Sequence, residues 1–208
     1  LTEVRREYLA FLLFIFPNMA LLAIWTYWPF FYSLYLSTTN WNLLSPIKAS
    51  IGLSNYAKLL VSPGFWNSVR VTVIFTVGVV FVRLALSLGL AVLLNQRLVG
   101  RGLWRMTIFS PHITTSAAMA LVWLAMYDPN HGPLASLFSL FGLRFPNVMA
   151  SMTYALPAII VVAIWKELGF STVIFLAALQ GVQRDLKDAA AVDGANAWQR
   201  FWRITLPL

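Results

Sequence analysis

The chain has no cysteine among its 208 residues. That excludes a disulfide framework and any cysteine metal site. Carboxylates are scarce as well, with seven Asp and Glu against fifteen Lys and Arg, and there are only two histidines. No pair of histidines or carboxylates has metal-ligand spacing, and no nucleophile–base set for covalent catalysis can be assembled. The phosphate-cradling pattern Gly-x-x-x-x-Gly-Lys-Ser/Thr is missing, so the chain cannot supply an ATP site by that motif. Charged residues make up 11%, about half of what a soluble domain of this length carries. Together these absences argue against an enzyme and against a soluble domain.

What fills the chain instead is apolar residue, 60% of the total, with a mean hydropathy of +0.74. Four segments meet the need for roughly 20 mainly apolar residues to cross a bilayer. They run from about Leu9 to Leu36, Val69 to Leu94, Leu103 to Tyr127 and Tyr154 to Leu179. Helices are expected, because lipid offers no hydrogen-bond partner to an open backbone. The first segment is too long for a cleaved leader and lacks a small-residue cleavage site. Pro17 and Pro29 lie inside it, and Pro111 and His112 lie in the first half of the third. The loop from Ser37 to Ser68 is long and polar, with Trp41, Asn42, Asn55 and Tyr56. Leu134 to Phe141, between the third and fourth segments, reads as a short helix at the interface. Trp25, Trp28, Trp41, Trp66, Trp104 and Trp123 read mostly as an interfacial aromatic belt.

The net charge of +8 does not indicate nucleic acid, because the basic residues sit at the ends of apolar runs rather than in a stripe. Nine of them (Arg5, Arg6, Arg97, Arg101, Arg105, Arg184, Lys187, Arg200 and Arg203) fall on one side of the alternating spans. Four (Lys48, Lys58, Arg70 and Arg144) fall on the other. The richer side is expected to be cytoplasmic, which places the N-terminus and the tail after residue 181 inside the cell.

The tail is the one segment of small and polar residues whose spacing looks specified. It reads Asp188-Ala189-Ala190-Ala191-Val192-Asp193-Gly194-Ala195, followed by Ile204-Thr205-Leu206-Pro207. Residues 185 to 199 suggest a short amphipathic helix, a turn at Gly194 and a second helical piece through Phe201. Gly194 permits a positive φ at no steric cost. Ala189, Ala190, Val192 and Ala195 offer a small apolar face. One reading is a helix lying on the lipid surface, held by Arg184, Lys187, Arg200 and Arg203. The alanine-rich face argues against it, since interfacial helices bury Trp, Phe and Leu.

These residues resemble the cytoplasmic EAA loop in permease subunits of bacterial binding-protein-dependent ABC importers. The family pattern is Glu-Ala-Ala, three residues, Gly, nine residues, Ile, one residue, Leu-Pro. Here it falls on Asp188-Ala189-Ala190, Gly194, Ile204 and Leu206-Pro207, with Asp188 in place of Glu. The resemblance extends to Ile51 through Tyr56, Phe65 through Ser68, Gly100-Arg101-Gly102, Trp123 through Pro129 and the segment from Trp165 to Gln180. That favours the carbohydrate-type branch, similar to maltose and glycerol-3-phosphate permeases. It implies an all-α, polytopic transmembrane helical bundle, with four spans visible where the family has six. Residues 1–208 would form a C-terminally incomplete type-1 transmembrane domain in the bacterial inner membrane, with the coupling loop at about 181–208.

The resemblance also implies partners: two ABC ATPase subunits that bind ATP and Mg, a second permease subunit and an extracytoplasmic solute-binding protein, besides membrane lipid. No cofactor is expected in this chain itself. The coupling residues would be Asp188, Ala189, Ala190, Asp193, Gly194, Ala195, Ile204, Leu206 and Pro207. The solute would be a sugar or sugar-like molecule, or glycerol-3-phosphate or a related phosphodiester. In maltose-type permeases the positions just after the tryptophan of the fourth segment contribute to the sugar site, which carries over to Trp165, Lys166, Glu167 and Phe170.

Charge inside a span costs about 2.5–3.5 kcal/mol on the insertion scale, so Lys166 and Glu167 are expected to face protein or water. Lys166 and Phe170 are four apart and share a helical face, whereas neighbours such as Lys166 and Glu167 do not. Only one of the two is therefore expected in a pathway, and an internal ion pair is the competing explanation. Arg83 reads as structural, His112 as a helix-packing hydrogen-bonder and His131 as solvated. The competing function is a channel or carrier that works without an ATPase.

Overall fold

The computed structural model describes residues 2–41, 48–96 and 98–207. Asn42, Arg97 and Leu208 lie outside the described residues, as do the side chains of Arg184 and Lys187. The chain divides into two compact units, one up to Val69 and one from Arg70 onward.

In the first unit, α1 (Thr2–Leu22) and α2 (Trp28–Ser37) are joined by a π-helical turn over Ala23–Tyr27. The apolar stretch Val4–Ser37 is long enough to cross a bilayer. The π turn sits immediately before Pro29, where the Trp28 N–H reaches back five residues to the Ala23 carbonyl. Proline has no N–H to offer the helix and clashes with the carbonyl four residues back. Widening the preceding turn accommodates it without ending the span. The polar loop then contains a two-residue hairpin of β1 (Thr39–Asn40) and β2 (Ala49–Ser50), followed by α3 (Ser54–Leu60). Asn55 ties this loop down by donating from Nδ2 to the carbonyls of Ser37 and Thr39, at 2.9 and 3.1 Å. The Tyr56 and Ser37 hydroxyls lie 2.6 Å apart.

Helix α4 (Pro63–Leu94) carries the second span and begins six residues earlier than its apolar run suggests. In the second unit its side chains pack on α8 (Ala155–Gly181). Ser87, fully buried, donates to the Leu168 carbonyl at 3.2 Å. Thr172, also buried, donates to the same carbonyl at 2.7 Å. Ala91 and Leu94 of α4 form a buried cluster with Leu176 and Leu179 of α8.

The third segment corrects the sequence reading. It is not one helix from Leu103 to Tyr127 but two, α5 (Arg101–Ile113) and α6 (Ser116–Met126), bent by 100°. Pro111 weakens the last turn of α5, and Thr114 is extended, with ψ of 140°. Thr115, extended as well, caps α6 by accepting from the Ala118 N–H. Thr114 Oγ1 donates to the Ser110 carbonyl at 3.2 Å, so the two threonines supply polar partners to backbone groups around the break.

The connection to α8 contains the expected short helix, α7 (Pro133–Ser139). Tyr127 closes this end by donating to the Ala158 carbonyl at 3.1 Å. Among the described residues, three helices are long and apolar enough to cross a membrane, or four spans if the bent pair is one. Beyond one antiparallel hairpin the described residues are helices and turns, in keeping with an all-α membrane bundle.

Candidate functional site

Two places carry chemistry: the break in the third span where it meets α8, and the tail. At the break, α8 places two adjacent charges against the two halves of the bent helix. Lys166 Nζ donates to Ser116 Oγ, at the start of α6, at 2.7 Å. Glu167 Oε2 lies 3.2 Å from His112 Nδ1, in the last turn of α5. The angle does not meet hydrogen-bond geometry, since His112 Nδ1 has no hydrogen-bond partner among the described residues. The contact is therefore an ion-pair approach, charged only when His112 carries its second proton. Both charges meet the bent pair, each on a different half. They point about 100° apart around α8, and a helix bent by 100° offers a surface to each.

Aromatic rings complete the cluster. The His112 ring lies parallel to that of Phe170, with centroids 4.8 Å apart and planes 16° apart. Phe170 thus stands beside Glu167 over the end of α5. Trp165 meets Trp123 of α6 edge to face at 5.4 Å. Trp123 packs in this cluster, and its indole N–H is buried with no hydrogen-bond partner among the described residues.

Gly169 brings the elements this close. A Cβ there would lie 2.7 Å from Phe109 Cα and nearer still to the Ile108 carbonyl oxygen. The α5 and α8 backbones are in direct contact at that point. The sequence reading missed His112, Ser116 and Gly169 as partners of the Lys166–Glu167 pair. The available signals were an isolated glycine within an apolar helix and the hydroxyl run after Pro111. Arg83 Nε is buried on α4 with no hydrogen-bond partner among the described residues. His131 is exposed, 3.8 Å from Asp128. The Asp128 carboxylate accepts the N–H groups of His131 and Asn130, each at 2.8 Å. These bonds favour its charged form and hold it below the ordinary aspartate range. Among the described residues, no group of three or more histidines and carboxylates could hold a metal ion.

In the tail, α9 (Arg184–Val192) ends at Gly194, which has φ of +82°. The Ala195 N–H bonds to the Ala190 carbonyl at 2.9 Å and the Gly194 N–H to Ala191 at 3.1 Å. This is a Schellman ending, with glycine at the left-handed position. Asn196 then starts α10 (Ala197–Arg200) with a capping box. Its side chain accepts from the Gln199 N–H at 2.8 Å, and Gln199 returns the bond at 2.9 Å. A π turn comes next, over Phe201–Thr205, closed by Leu206 N–H to Phe201 O just before Pro207. The small apolar face divides. Ala189 and Val192 are exposed, while Ala190 and Ala195 are half-buried at the turn. Asp188, Asp193 and Gly194 are exposed, as are Leu206 and Pro207, and Ile204 is half-buried. Ala197, Arg200, Phe201 and Thr205 line a cavity of about 320 Å³ with Val92, Asn95 and Leu179.

Residues 87–208 match the family model of the binding-protein-dependent transport system inner membrane component. The chain belongs to this family. It is 39% identical over 196 residues to a probable ABC transporter permease of Sinorhizobium fredii, covering 93% of this chain and 63% of that protein. A trehalose/maltose transport system permease of Thermococcus litoralis is 33% identical over 196 residues, 94% of this chain and 66% of that protein. An sn-glycerol-3-phosphate transport system permease of Agrobacterium fabrum is 30% identical over the same length, 94% of this chain and 67% of that protein. The chain thus spans about two thirds of the length of these relatives. Among solved structures, a bacterial alginate ABC transporter in complex with its alginate-bound periplasmic protein matches with a TM-score of 0.82. At 23% identity, covering 99% of this chain and 68% of that one, it shows a shared fold. Family membership and the apolar helices make this a multi-pass inner-membrane protein.

Proposed function

We propose that this chain is the membrane-spanning permease part of an ATP-driven ABC importer, moving a sugar or sugar-like solute delivered by an extracytoplasmic binding protein. The observation that supports it most is the tail. The spacing from Asp188 to Pro207 folds into a helix, a left-handed glycine turn and a second, capped helix. The tail presents Asp188, Ala189 and Val192 outward. An exposed face of small residues suits close docking into a cleft of a partner. In this reading residues 1–208 belong to one transmembrane domain, and the loop at about 181–208 grips one of two ATPase subunits through Asp188, Ala189, Ala190, Asp193, Gly194, Ala195, Ile204, Leu206 and Pro207. Those subunits bind ATP and Mg, a second permease completes the pathway, and the N-terminus is cytoplasmic.

The cluster of Trp165, Lys166, Glu167 and Phe170 lines the solute pathway. Phe170 offers an aromatic face to a sugar ring, while Lys166 and Glu167 offer polar partners to its hydroxyls. An sn-glycerol-3-phosphate or phosphodiester cargo is the second reading. It is favoured by the Lys166 ammonium and by the relative whose name carries that solute.

The deciding experiment is affinity purification of the full-length subunit from its native membrane with Gly194 intact and as Gly194→Val. A nucleotide-binding subunit is expected to come down with the former and to be lost from the latter. Equal recovery with both would reject the coupling role, and recovery with neither would favour an ATPase-independent carrier. For the pathway, Lys166→Ala and Phe170→Ala are each expected to alter uptake rate or solute preference. Wild-type uptake in both would remove the cluster from the route.

A further inference from the structure

We propose that His112 is a positioning residue of the solute pathway, holding the Phe170 ring and the Glu167 carboxylate in place from the end of the broken span. The inference rests on the permease reading above. Three observations carry it. The His112 ring covers one face of Phe170 in a parallel stack at 4.8 Å. The same ring faces Glu167 through Nδ1 at 3.2 Å, so one side chain meets both a candidate stacking platform and its polar neighbour. Phe170 remains 44% exposed, so the stack does not cover it completely.

A phenylalanine on a helix ordinarily moves between rotamers, and each solute that stacks on it must first stop that motion. Ordering a side chain opposes binding. A ring already held from behind removes most of that cost. His112 is held in turn, since Phe109 lies 5.5 Å from it on the same helix and the Gly169 contact fixes α5 against α8. The bend of the third span is what allows this. It ends α5 at Ile113, so that His112 lies in its last turn and meets α8 level with Glu167 and Phe170. Lys166 is held separately by Ser116 on the other side of the bend. His112 itself need not touch the solute.

The test uses the full-length subunit assembled with its partners in liposomes loaded with MgATP. Maltose, trehalose and sn-glycerol-3-phosphate serve as probe solutes, and the one that the unaltered protein takes up is carried forward. His112→Ala is expected to raise KM about five- to tenfold, the size of a lost aromatic contact, with maximal rate held within about twofold. His112→Phe keeps a ring behind Phe170 and is expected to restore KM to within about threefold of the unaltered value. The defect of His112→Ala combined with Phe170→Ala is expected to be smaller than the two single defects combined.

A second readout does not depend on transport. With 4-fluorophenylalanine at position 170, the fluorine resonance is expected to shift in His112→Ala and to stay near its original position in His112→Phe. A resonance unmoved by His112→Ala overturns the inference, as does an unchanged KM or a double variant whose defects simply add. If the unaltered protein takes up none of the three solutes, the pathway role falls with it, and a fluorine shift records a packing contact only.

Discussion

At the scale of single residues, two positions carry sharp expectations. Gly169 lets the backbones of α5 and α8 touch. Gly169→Val places carbon atoms where Ile108 and Phe109 main chain already lies, and main chain cannot move aside as a rotamer does. Overpacking of this kind costs about 2 kcal/mol or more. It should appear as a melting temperature lowered by several degrees in detergent, with Gly181→Val, where a Cβ meets nothing within 4 Å, as the comparison. Asp128 is the second position. Its carboxylate accepts two backbone N–H groups in the turn after α6 and is held below its ordinary range. A depressed folded value means that the bonds stabilise the turn fully above the unfolded carboxylate value of about 4 and lose that effect as pH falls through the folded value. Hydrogen exchange at the amides of Asn130 and His131 should therefore be flat from neutral pH to about pH 5, after correction for the intrinsic rate. Protection should fall only below about pH 4. Loss of protection near pH 6 would contradict it.

At the scale of elements, the spans show how apolar periodicity and its interruptions read differently. Long apolar runs located α4 and α8 to within a few residues at their C-terminal ends. Prolines were less legible. Pro29 and Pro207 each come after a π turn that absorbs them, and Pro17 stays within α1, yet Pro111 stands three residues before a bend of 100°. The difference lies in the residues on the C-terminal side of each proline. After Pro111 come Thr114 and Thr115, whose hydroxyls bond backbone groups on either side of the bend, whereas after Pro29 come Phe30 and Phe31, which do not. Hydropathy averaged over a window does not register three hydroxyls in an apolar run. The tail was read closely because its information is local. Gly194 and the residues around it specify a turn by backbone conformation alone. Since nothing lies within 4 Å of a Cβ at Gly194, a substitution there acts through φ and not through crowding. Valine should cost about 1–2 kcal/mol in the left-handed region, and asparagine less. Transport by Gly194→Asn should exceed that by Gly194→Val, with alanine between them. An equal loss in all three would mean that the missing side chain, rather than the turn, matters to the partner.

At the scale of the whole molecule, the described residues leave much apolar surface uncovered. Leu13, Phe14, Phe16, Trp25 and Trp28 of the first span are exposed, and so are Phe81, Leu121 and Val161 of the others. For a soluble protein such surface would mark aggregation. Here it is the area that lipid and neighbouring helices cover. The sequence disclosed this scale through composition and the placement of basic residues, but it could not disclose which of Lys166 and Glu167 would meet which neighbour. Those contacts join residues 50 or more positions apart and depend on the bend. The proposed orientation has a direct check, because the chain contains no native cysteine. Ser139→Cys, in α7, should react with a membrane-impermeant maleimide added to intact spheroplasts. Ala191→Cys, in α9, should react only in inverted vesicles. The opposite pattern would turn the molecule over and detach the tail from any cytosolic motor.

The bare crossing of α5 and α8 at Gly169 has a further bearing on how force would travel. With no side chain between the two main chains to serve as a spacer, the helices bear on each other directly at that crossing. The C-terminal end of α8 leads through only Val182 and Gln183 into α9. A push delivered to the tail would thus reach the kinked span through that bare contact.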